Sequence, residues 1–377
     1  MLIRHLLRTS AASVTLAATL LVAGGAEAAG IPSTWEVSLS GDGPAGSLMS
    51  VSSVDDGLAW AVGRKEQHGV IMRWDGSAWK EDTAPGLPDV WQWSSVSAVS
   101  ADDVWAYGTR NRDQVLAHFD GERWSSVPTA GPADESWPEV PIDAVPGRLF
   151  KGGNALYTYA DGAWKTFALP RLVDIRDIDA LSADDAYATG MRYPVKGGHP
   201  VTYHWDGTTW TLMDQPPVRA GTDTAEIAAE SPDSVYVAGW ADDPDAGPPV
   251  PAVAHWNGAR WEDVTGSLTG LYVHAIAPDG RGGLWVTGND QAEPTDSGPV
   301  FWHYDGTTWT KGAGASAPDG ATEWPSYSFY DLAPAGSTGA FWAVGDYTTP
   351  MDTHGDQQVN GLIERSTELT PATTARR

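Results

Sequence analysis

The chain has no cysteine among its 377 residues. It therefore cannot form a disulfide, a thiolate metal site, a thiol nucleophile or a lipid-modified cysteine. Small exported domains depend on disulfides, but a chain of this length can bury a large core without them. The missing cysteine thus excludes several kinds of catalysis and remains compatible with export.

Basic residues are scarce as well. The chain has 23 Lys and Arg against 49 Asp and Glu, which gives a formal net charge of -26. Such a surface repels phosphate backbones and anionic lipids, so we expect neither nucleic-acid binding nor membrane binding. A high net charge of one sign also favours solubility outside the cell.

Long hydrophobic runs are missing beyond residue 22. The run at residues 11–22 follows the basic residues Arg4 and Arg8 and precedes the small-residue signal Ala26-Glu27-Ala28. This order is typical of a secretory signal peptide, and the run is too short to span a bilayer. We therefore predict a signal peptide over residues 1–28 and an extracellular mature protein.

Tryptophan is abundant, with 20 copies, and much of it belongs to a repeated hairpin motif. The motif reads YHWDGTTW at residues 203–210, and its six glycines fall at a mean spacing of about 46 residues, at positions 76, 121, 162, 207, 258 and 306. Asp-Gly between two strand-like runs indicates a hairpin with a two-residue turn, which would pair Trp205 with Thr208. Asn257 replaces the aspartate in the fifth copy, a change that a turn tolerates and a catalytic acid would not. The aspartates are thus predicted to shape turns.

Four histidines occupy one column of this motif. His118, His204, His255 and His303 each precede the third-strand aromatic residue by one position. A catalytic histidine does not recur in four copies, so this column is interpreted as scaffold.

A second motif recurs seven times, as in Val104-Trp105-Ala106-Tyr107-Gly108, with a degraded copy at residues 149–152. A run of small and β-branched residues precedes each copy, and no segment has helical periodicity. Four strands in every 46 residues predict an all-β fold, a seven-bladed β-propeller with four-stranded antiparallel blades.

The two ends of the chain complete the seventh blade. Six full hairpins leave that blade one strand short, and residues 35–37 supply an isolated strand. We predict that this N-terminal strand pairs with the strand containing Ile363 and closes the ring. Residues 29–366 then form one β-propeller domain, and residues 367–377 are predicted to form a disordered tail. We expect a monomer.

The repeats resemble those of secreted bacterial β-propeller proteins, whose units read roughly DDVWAVG followed by HWDGxxW. The resemblance extends from Trp35 to Arg365. The repeat also resembles those of kelch and Asp-box propellers. It departs from both, because most second strands lack the Gly-Gly doublet and the aspartate directly precedes the glycine. The Gly-His of WD repeats is missing too. The resemblance implies the fold and no single activity.

Five tryptophans belong to neither repeated motif: Trp91, Trp93, Trp137, Trp240 and Trp324. All five are predicted to lie in connections that emerge on one face of the propeller, where the loops are longest. Exposed aromatic rings on such a face suit sugar rings or protein hot spots. The leading hypothesis is therefore a non-enzymatic module that binds a carbohydrate or an extracellular protein there. The alternative for each ring is that it folds back and caps a blade.

Two rival functions stay open. A hydrolase or lyase would use paired carboxylates near the channel mouth, with candidates Asp82, Asp89, Asp113 and Glu139. A pure interaction scaffold would have a flat face and no pocket.

Metal and cofactor signals are weak. The remaining histidines of the mature chain, at positions 68, 199, 274 and 354, have no ligand spacing, and the acidic loop with Asp242, Asp243 and Asp245 lacks a calcium-binding pattern. No phosphate-binding loop or nucleophile motif is present. We predict no metal site and no cofactor.

Overall fold

The computed structural model describes residues 35–39, 46–131, 140–193, 198–219, 222–242, 247–290, 299–315, 326–348 and 358–367. These residues form seven four-stranded antiparallel sheets, and the fold is a seven-bladed β-propeller. No helix in these ranges has the length and hydrophobicity needed to cross a membrane. The predicted signal peptide and residues 368–377 of the predicted tail lie outside the described residues.

Each blade runs from an innermost first strand to an outermost fourth strand. Blade 1 comprises β2 (Leu48–Asp55), β3 (Leu58–Lys65), β4 (His68–Trp74) and β5 (Trp79–Glu81). Blade 2 comprises β6 (Gln92–Ser100), β7 (Asp103–Arg110), β8 (Asp113–Phe119) and β9 (Trp124–Val127). Blade 3 comprises β10 (Ile142–Val145), β11 (Arg148–Lys151), β12 (Ala155–Ala160) and β13 (Ala163–Ala168). Blade 4 comprises β14 (Val173–Ser182), β15 (Asp185–Arg192), β16 (His199–Trp205) and β17 (Trp210–Leu212). Blade 5 comprises β18 (Asp223–Ser231), β19 (Ser234–Ala241), β20 (Val250–Trp256) and β21 (Trp261–Asp263). Blade 6 comprises β22 (Leu271–Pro278), β23 (Leu284–Asp290), β24 (Val300–Tyr304) and β25 (Trp309–Ala313). Blade 7 comprises β26 (Ser326–Pro334), β27 (Phe341–Thr348), β28 (Val359–Ser366) and β1 (Trp35–Leu39).

The N-terminal strand closes the ring as predicted. β1 is the outermost strand of blade 7 and pairs antiparallel with β28, with Trp35 opposite Ser366 and Leu39 opposite Ile363. This pairing covers the edge of β28, which would otherwise be an exposed strand edge.

The hydrophobic core lies between neighbouring blades. One cluster joins Trp60 and Val62 of blade 1 to Trp93, Val104 and other residues of blade 2. Small residues on the first strands and aromatic residues on the outer strands fit a ring whose blades splay outward from the axis.

The repeated hairpin differs from the prediction. In blade 4 Trp205 pairs with Trp210 and not with Thr208, so the connection has four residues. The Asp206 carboxylate accepts hydrogen bonds from the backbone N–H groups of Thr208 (2.9 Å) and Thr209 (2.8 Å). An aspartate side chain that closes a turn in this way needs no left-handed backbone of its own.

A two-residue turn occurs in blade 3 instead. There Ala160 pairs with Ala163, and Asp161 and Gly162 have φ of 52° and 78°. Asn257 accepts the same pair of backbone bonds in blade 5 as the aspartates do elsewhere. The repeated acidic position is therefore a turn residue.

The histidine column stacks on the aromatic column of the second strand. The ring centroids of Tyr187 and His204 lie 4.7 Å apart, and those of Trp285 and His303 lie 4.5 Å apart. In blades 1 and 7 an arginine replaces the histidine, and Arg73 lies 5.2 Å from the centroid of Trp60. These contacts explain the four copies as packing within the scaffold.

The glycine that ends the second repeated motif permits a bulge in the neighbouring first strand. The register between first and second strands shifts by one residue near the start of six first strands, for example between Ile175 and Asp177. A Cβ on Gly190 would lie 2.0 Å from the carbonyl oxygen of Asp174, and one on Gly345 would lie 1.9 Å from that of Ser328. Glycine thus recurs because the bulged backbone passes too close for any side chain.

We expect Gly190→Ala to lower the free energy of unfolding by about 2 to 3 kcal/mol, because the added methyl group meets backbone that cannot move without breaking the bulge. Gly57→Ala is the control, since its Cβ would approach only the Asp55 carboxylate, at 3.5 Å. Urea unfolding of both variants measures the difference. Equal stability of the two variants would refute the proposed role of the glycine.

Candidate functional site

The connections between fourth and first strands and between second and third strands emerge on one face, which we call the loop-rich face. Trp91 lies there, immediately before β6, and its side chain is 57% exposed. Trp240 lies near the end of β19 on the same face, partly buried, with its ring edge-on to Tyr272 at 4.6 Å. Trp137 and Trp324 fall outside the described residues.

Trp93 is not on the surface. It belongs to β6, is fully buried and packs between blades 1 and 2. Its ring fills the space beside two glycines: a Cβ on Gly69 would lie 2.8 Å from it and one on Gly108 2.9 Å. Trp93 thus lies in a strand and not in the predicted connection, and its buried ring follows the alternative to ligand contact, packing between blades.

Leu172 and Tyr193 were missed by sequence reasoning. Leu172 lies immediately before β14 and Tyr193 immediately after β15, and the N–H of Tyr193 donates a hydrogen bond to the carbonyl oxygen of Leu172 (2.8 Å). Their exposures are 57% and 39%. Leu172 has a φ of 67°, a strained conformation for a bulky residue. The sequence feature that could have indicated this site is an apolar residue, Leu172, directly after Pro170-Arg171 in a short connection.

A charged group borders these residues. The Arg176 guanidinium forms an ion pair with Asp223 of the next blade and donates to the hydroxyl of Tyr193. Arg176 is the extra residue of the bulge in β14. Bulges commonly re-aim side chains next to functional sites, and this one directs Arg176 to the mouth of the channel.

The channel itself has a volume of about 310 Å³ and is lined by all seven first strands. Four aspartates face it: Asp143, Asp177, Asp179 and Asp331. Each accepts a hydrogen bond from the backbone of the next blade. Asp143 bonds the N–H of Ala180 (2.8 Å), and Asp331 bonds that of Val51 (2.8 Å) across the ring closure.

Burial raises the pKa of these carboxyl groups. It raises the pKa of Asp143 to about 6 and that of Asp179 to about 7, the latter with help from the neighbouring Asp143. The pKa of Asp331 rises to about 6 and that of Asp177 rises well above its ordinary value. A cationic group at the channel mouth would favour the ionised forms and be attracted by them.

The carboxylates named from the sequence lie elsewhere. Asp82 is tied to the indole N–H of Trp124 (3.2 Å), Asp89 is exposed and pairs with Arg110, and Asp113 is exposed at the start of β8. None of the three lines the channel. Glu139 lies outside the described residues. The buried carboxylates sit on strands, and loop composition did not point to them.

Metal ligands do not converge in the described part of the chain, where no group of three or more His, Asp or Glu could hold a metal ion. His274 stands alone at a bulge, with its ring 6.2 Å from that of Tyr330, and burial lowers its pKa. Asp242 is exposed, and Asp243 and Asp245 lie outside the described residues.

No known family model matches the chain, and no curated protein sequence matches it. Solved structures do match in fold. YCF48 bound to D1 peptide has a TM-score of 0.56 and 16% identity, and the match covers 91% of this chain and all of that one. Streptogramin B lyase has a TM-score of 0.58 at 13% identity over 87% of this chain and 97% of its own. The WD40 propeller domain of Doa1 has a TM-score of 0.57 at 11% identity over 88% and 96%. At these identities the likeness concerns the fold alone.

Proposed function

We propose that this chain is an exported, non-catalytic binding module that holds a basic segment of a protein partner on its loop-rich face. The supporting observation is the distribution of exposed apolar side chains. Among the described residues four large hydrophobic side chains are strongly exposed, and three of them, Trp91, Leu172 and Tyr193, lie on that face. Exposed apolar groups beside a rigid scaffold favour a binding surface.

The backbone at Leu172 adds to this support. Strained residues cluster at ligand sites, and here the strain holds an apolar side chain out in water. A role in packing does not account for that arrangement, since the side chain is 57% exposed.

Charge indicates the chemistry of the partner. Four buried carboxyl groups line the channel in a protein of net charge -26. Complementary charge on a partner steers encounter and sets orientation, so a segment rich in Lys or Arg fits best. The similar propeller YCF48 is bound to a peptide, D1, which is compatible with a polypeptide partner.

The channel carboxylates support binding over the alternative, a hydrolase or lyase. A catalytic acid must be able to give its proton to a substrate. Asp143 instead accepts bonds from Ser97, Ala144 and Ala180, and Asp177 accepts them from Ile178 and Ile227. Their oxygens are engaged in holding blades together.

The proposal is tested by selecting short random peptides, displayed on phage, against the mature protein. Enriched peptides are expected to carry excess Lys and Arg and to bind more weakly as salt rises. Leu172→Ser and Tyr193→Ser should each weaken binding about tenfold, as expected for central apolar contacts. Leu212→Ser is the matched control, because Leu212 is 56% exposed but lies on the outermost strand of blade 4.

Two results would overturn the proposal. One is that Leu172→Ser binds the enriched peptides as tightly as the unchanged protein does. The other is that an insoluble polysaccharide depletes the protein and Trp91→Ala abolishes this, which would make the partner a carbohydrate. Release of soluble sugar from such a polysaccharide, lost in Asp179→Asn, would favour the enzymatic alternative.

A further inference from the structure

Neighbouring blades usually contact each other through a pair of aromatic rings. The second-strand ring of one blade meets the ring at the end of the next blade's third strand. Trp105 contacts Tyr159 in this way at 5.7 Å, and Trp342 contacts Trp74 at 5.0 Å. These contacts fill the junction on the face opposite the loop-rich face.

The junction of blades 4 and 5 is different. Tyr187 occupies the second-strand position where blades 1, 2, 6 and 7 have tryptophan, and Trp256 occupies the facing position. Both residues contribute to the lining of a cavity of about 460 Å³, although Tyr187 itself is only 2% exposed. We call it the blade 4–5 slot. Its volume falls within the range of small-molecule sites.

The chemistry of the slot is mixed. Its apolar walls come from Leu212, Met213, Pro232 and the ring of Trp256. The stacked pair Tyr187 and His204 forms another wall.

Carboxylates surround the apolar walls. Asp184, Asp185 and Asp214 lie at the slot, and His204 is the single basic side chain among its lining residues. The His204 ring is already bound to Asp185, with Nε2 2.9 Å from Oδ1. Asp184 and Asp214 are exposed. An apolar slot with an anionic rim fits a flat ring that carries a cationic group.

The equivalent position in blade 6 shows what full packing looks like. There His303 and its partner Asp279 are each only 2% exposed, whereas His204 and Asp185 are 36% and 23% exposed. The same stacked elements are thus sealed in one blade and open to solvent in the other.

We propose that the blade 4–5 slot binds a small aromatic amine. The ring lies against Trp256 and the partly exposed His204, beside the buried Tyr187. The ammonium group lies against Asp184 and Asp214, and ring faces also attract cations. This site is on the opposite face from the proposed protein-binding surface and does not depend on it.

Tryptamine, tryptophol and indole-3-acetate are suitable probes, because they carry one ring system with a cationic, a neutral and an anionic group. Isothermal titration and saturation-transfer NMR measure their binding. We expect tryptamine to bind with a dissociation constant on the order of 1 mM or below. Tryptophol should bind about fivefold more weakly, and indole-3-acetate more weakly still.

Two variants locate the site. Tyr187→Trp places in the slot the residue that other blades use, and it should abolish tryptamine binding. The double variant Asp184→Asn with Asp214→Asn should remove the preference for tryptamine over tryptophol. Glu66→Gln with Asp113→Asn makes the same charge change at exposed positions on the loop-rich face and should leave that preference unchanged.

The thermal unfolding midpoint of Tyr187→Trp shows whether this variant folds. If it does not, the double variant Asp184→Asn with Asp214→Asn still tests the site. Tryptamine binding that survives in a folded Tyr187→Trp variant would overturn the proposal. So would equal binding of tryptamine and tryptophol, or no saturable binding by the unchanged protein.

Discussion

Trp35→Ala is expected to lower the free energy of unfolding by about 3 to 5 kcal/mol, the usual cost of removing a large buried aromatic side chain. Trp35 is 5% exposed. Its ring stacks on Phe301 with centroids 3.7 Å apart and planes 7° from parallel, and it meets Trp285 edge-on at 6.2 Å.

The position of Trp35 in the ring explains why this loss should be large. Trp35 belongs to the closing strand of blade 7, but Phe301 and Trp285 belong to blade 6. One side chain therefore holds β1 in its sheet and holds two blades together. Its removal leaves a cavity at the interface and weakens the pairing of β1 with β28.

Urea unfolding followed by circular dichroism measures the effect. Trp91→Ala is the matched control, because the same side chain is removed from an exposed position, and the expected change is within about 0.5 kcal/mol. Trp35→Phe should lie between the two, since it keeps a ring against Phe301. If Trp35→Ala costs no more than Trp91→Ala, the N-terminal strand does not stabilise the ring.

The sequence was sufficient for the blade count and for this closure, because both follow from repeat arithmetic. A motif that occurs seven times and a hairpin that occurs six times leave one gap, and a lone strand around Trp35 fills it. Asn257 in place of aspartate likewise separated turn residues from catalytic ones. Such inferences depend on comparing copies within the chain, which needs no coordinates.

Local geometry was less predictable. Asp-Gly was interpreted as a two-residue turn, with a different turn expected only in the third copy, where it lies one residue later. Among the described copies of the repeated hairpin, that third copy, at Asp161 and Gly162, is the one with a two-residue turn. In the other copies the side chain of the aspartate, or of Asn257 in blade 5, closes a four-residue turn. Trp93 was misplaced because a strand that begins with Gln-Trp resembles a polar connection, and the two glycines that accommodate its ring are distant in sequence.

The candidate site depended on contacts between blades, which no single repeat encodes. Asp143, Asp177 and Asp179 appeared as ordinary polar residues in small-residue strands. Their proximity arises because seven first strands converge on one axis. The blade 4–5 slot is equally invisible in one copy, since residues of two blades line it.

A second large effect is expected from pH. Glu364 is 1% exposed, and its Oε2 accepts a hydrogen bond from the N–H of Ala315 at 2.9 Å. Burial raises the pKa of this carboxyl group to about 8, from an ordinary value of 4.5. Folded protein therefore holds a proton at this site between these two values, whereas unfolded protein does not.

The sign follows from that difference in bound protons. The contribution of Glu364 to the free energy of unfolding is complete below pH 4.5, the pKa of this group in the unfolded chain. It decreases as pH rises toward the pKa in the folded protein, by roughly 5 kcal/mol for Glu364 alone. The raised pKa values of Asp143, Asp177, Asp179 and Asp331 act in the same direction. We therefore expect the protein to be more stable at about pH 5 than at about pH 8, opposite to a protein whose carboxylates are held in salt bridges.

Glu364→Gln isolates the contribution of one residue. The amide oxygen can still accept the bond from Ala315, and the side chain is neutral at both pH values. The variant should match the unchanged protein near pH 5 and exceed its stability by several kcal/mol near pH 8. Glu36→Gln, exposed on the adjacent strand β1, should leave the pH dependence intact. Parallel pH profiles for Glu364→Gln and the unchanged protein would show that Glu364 is ionised in the folded state, and the pH dependence would then have to arise from the channel aspartates.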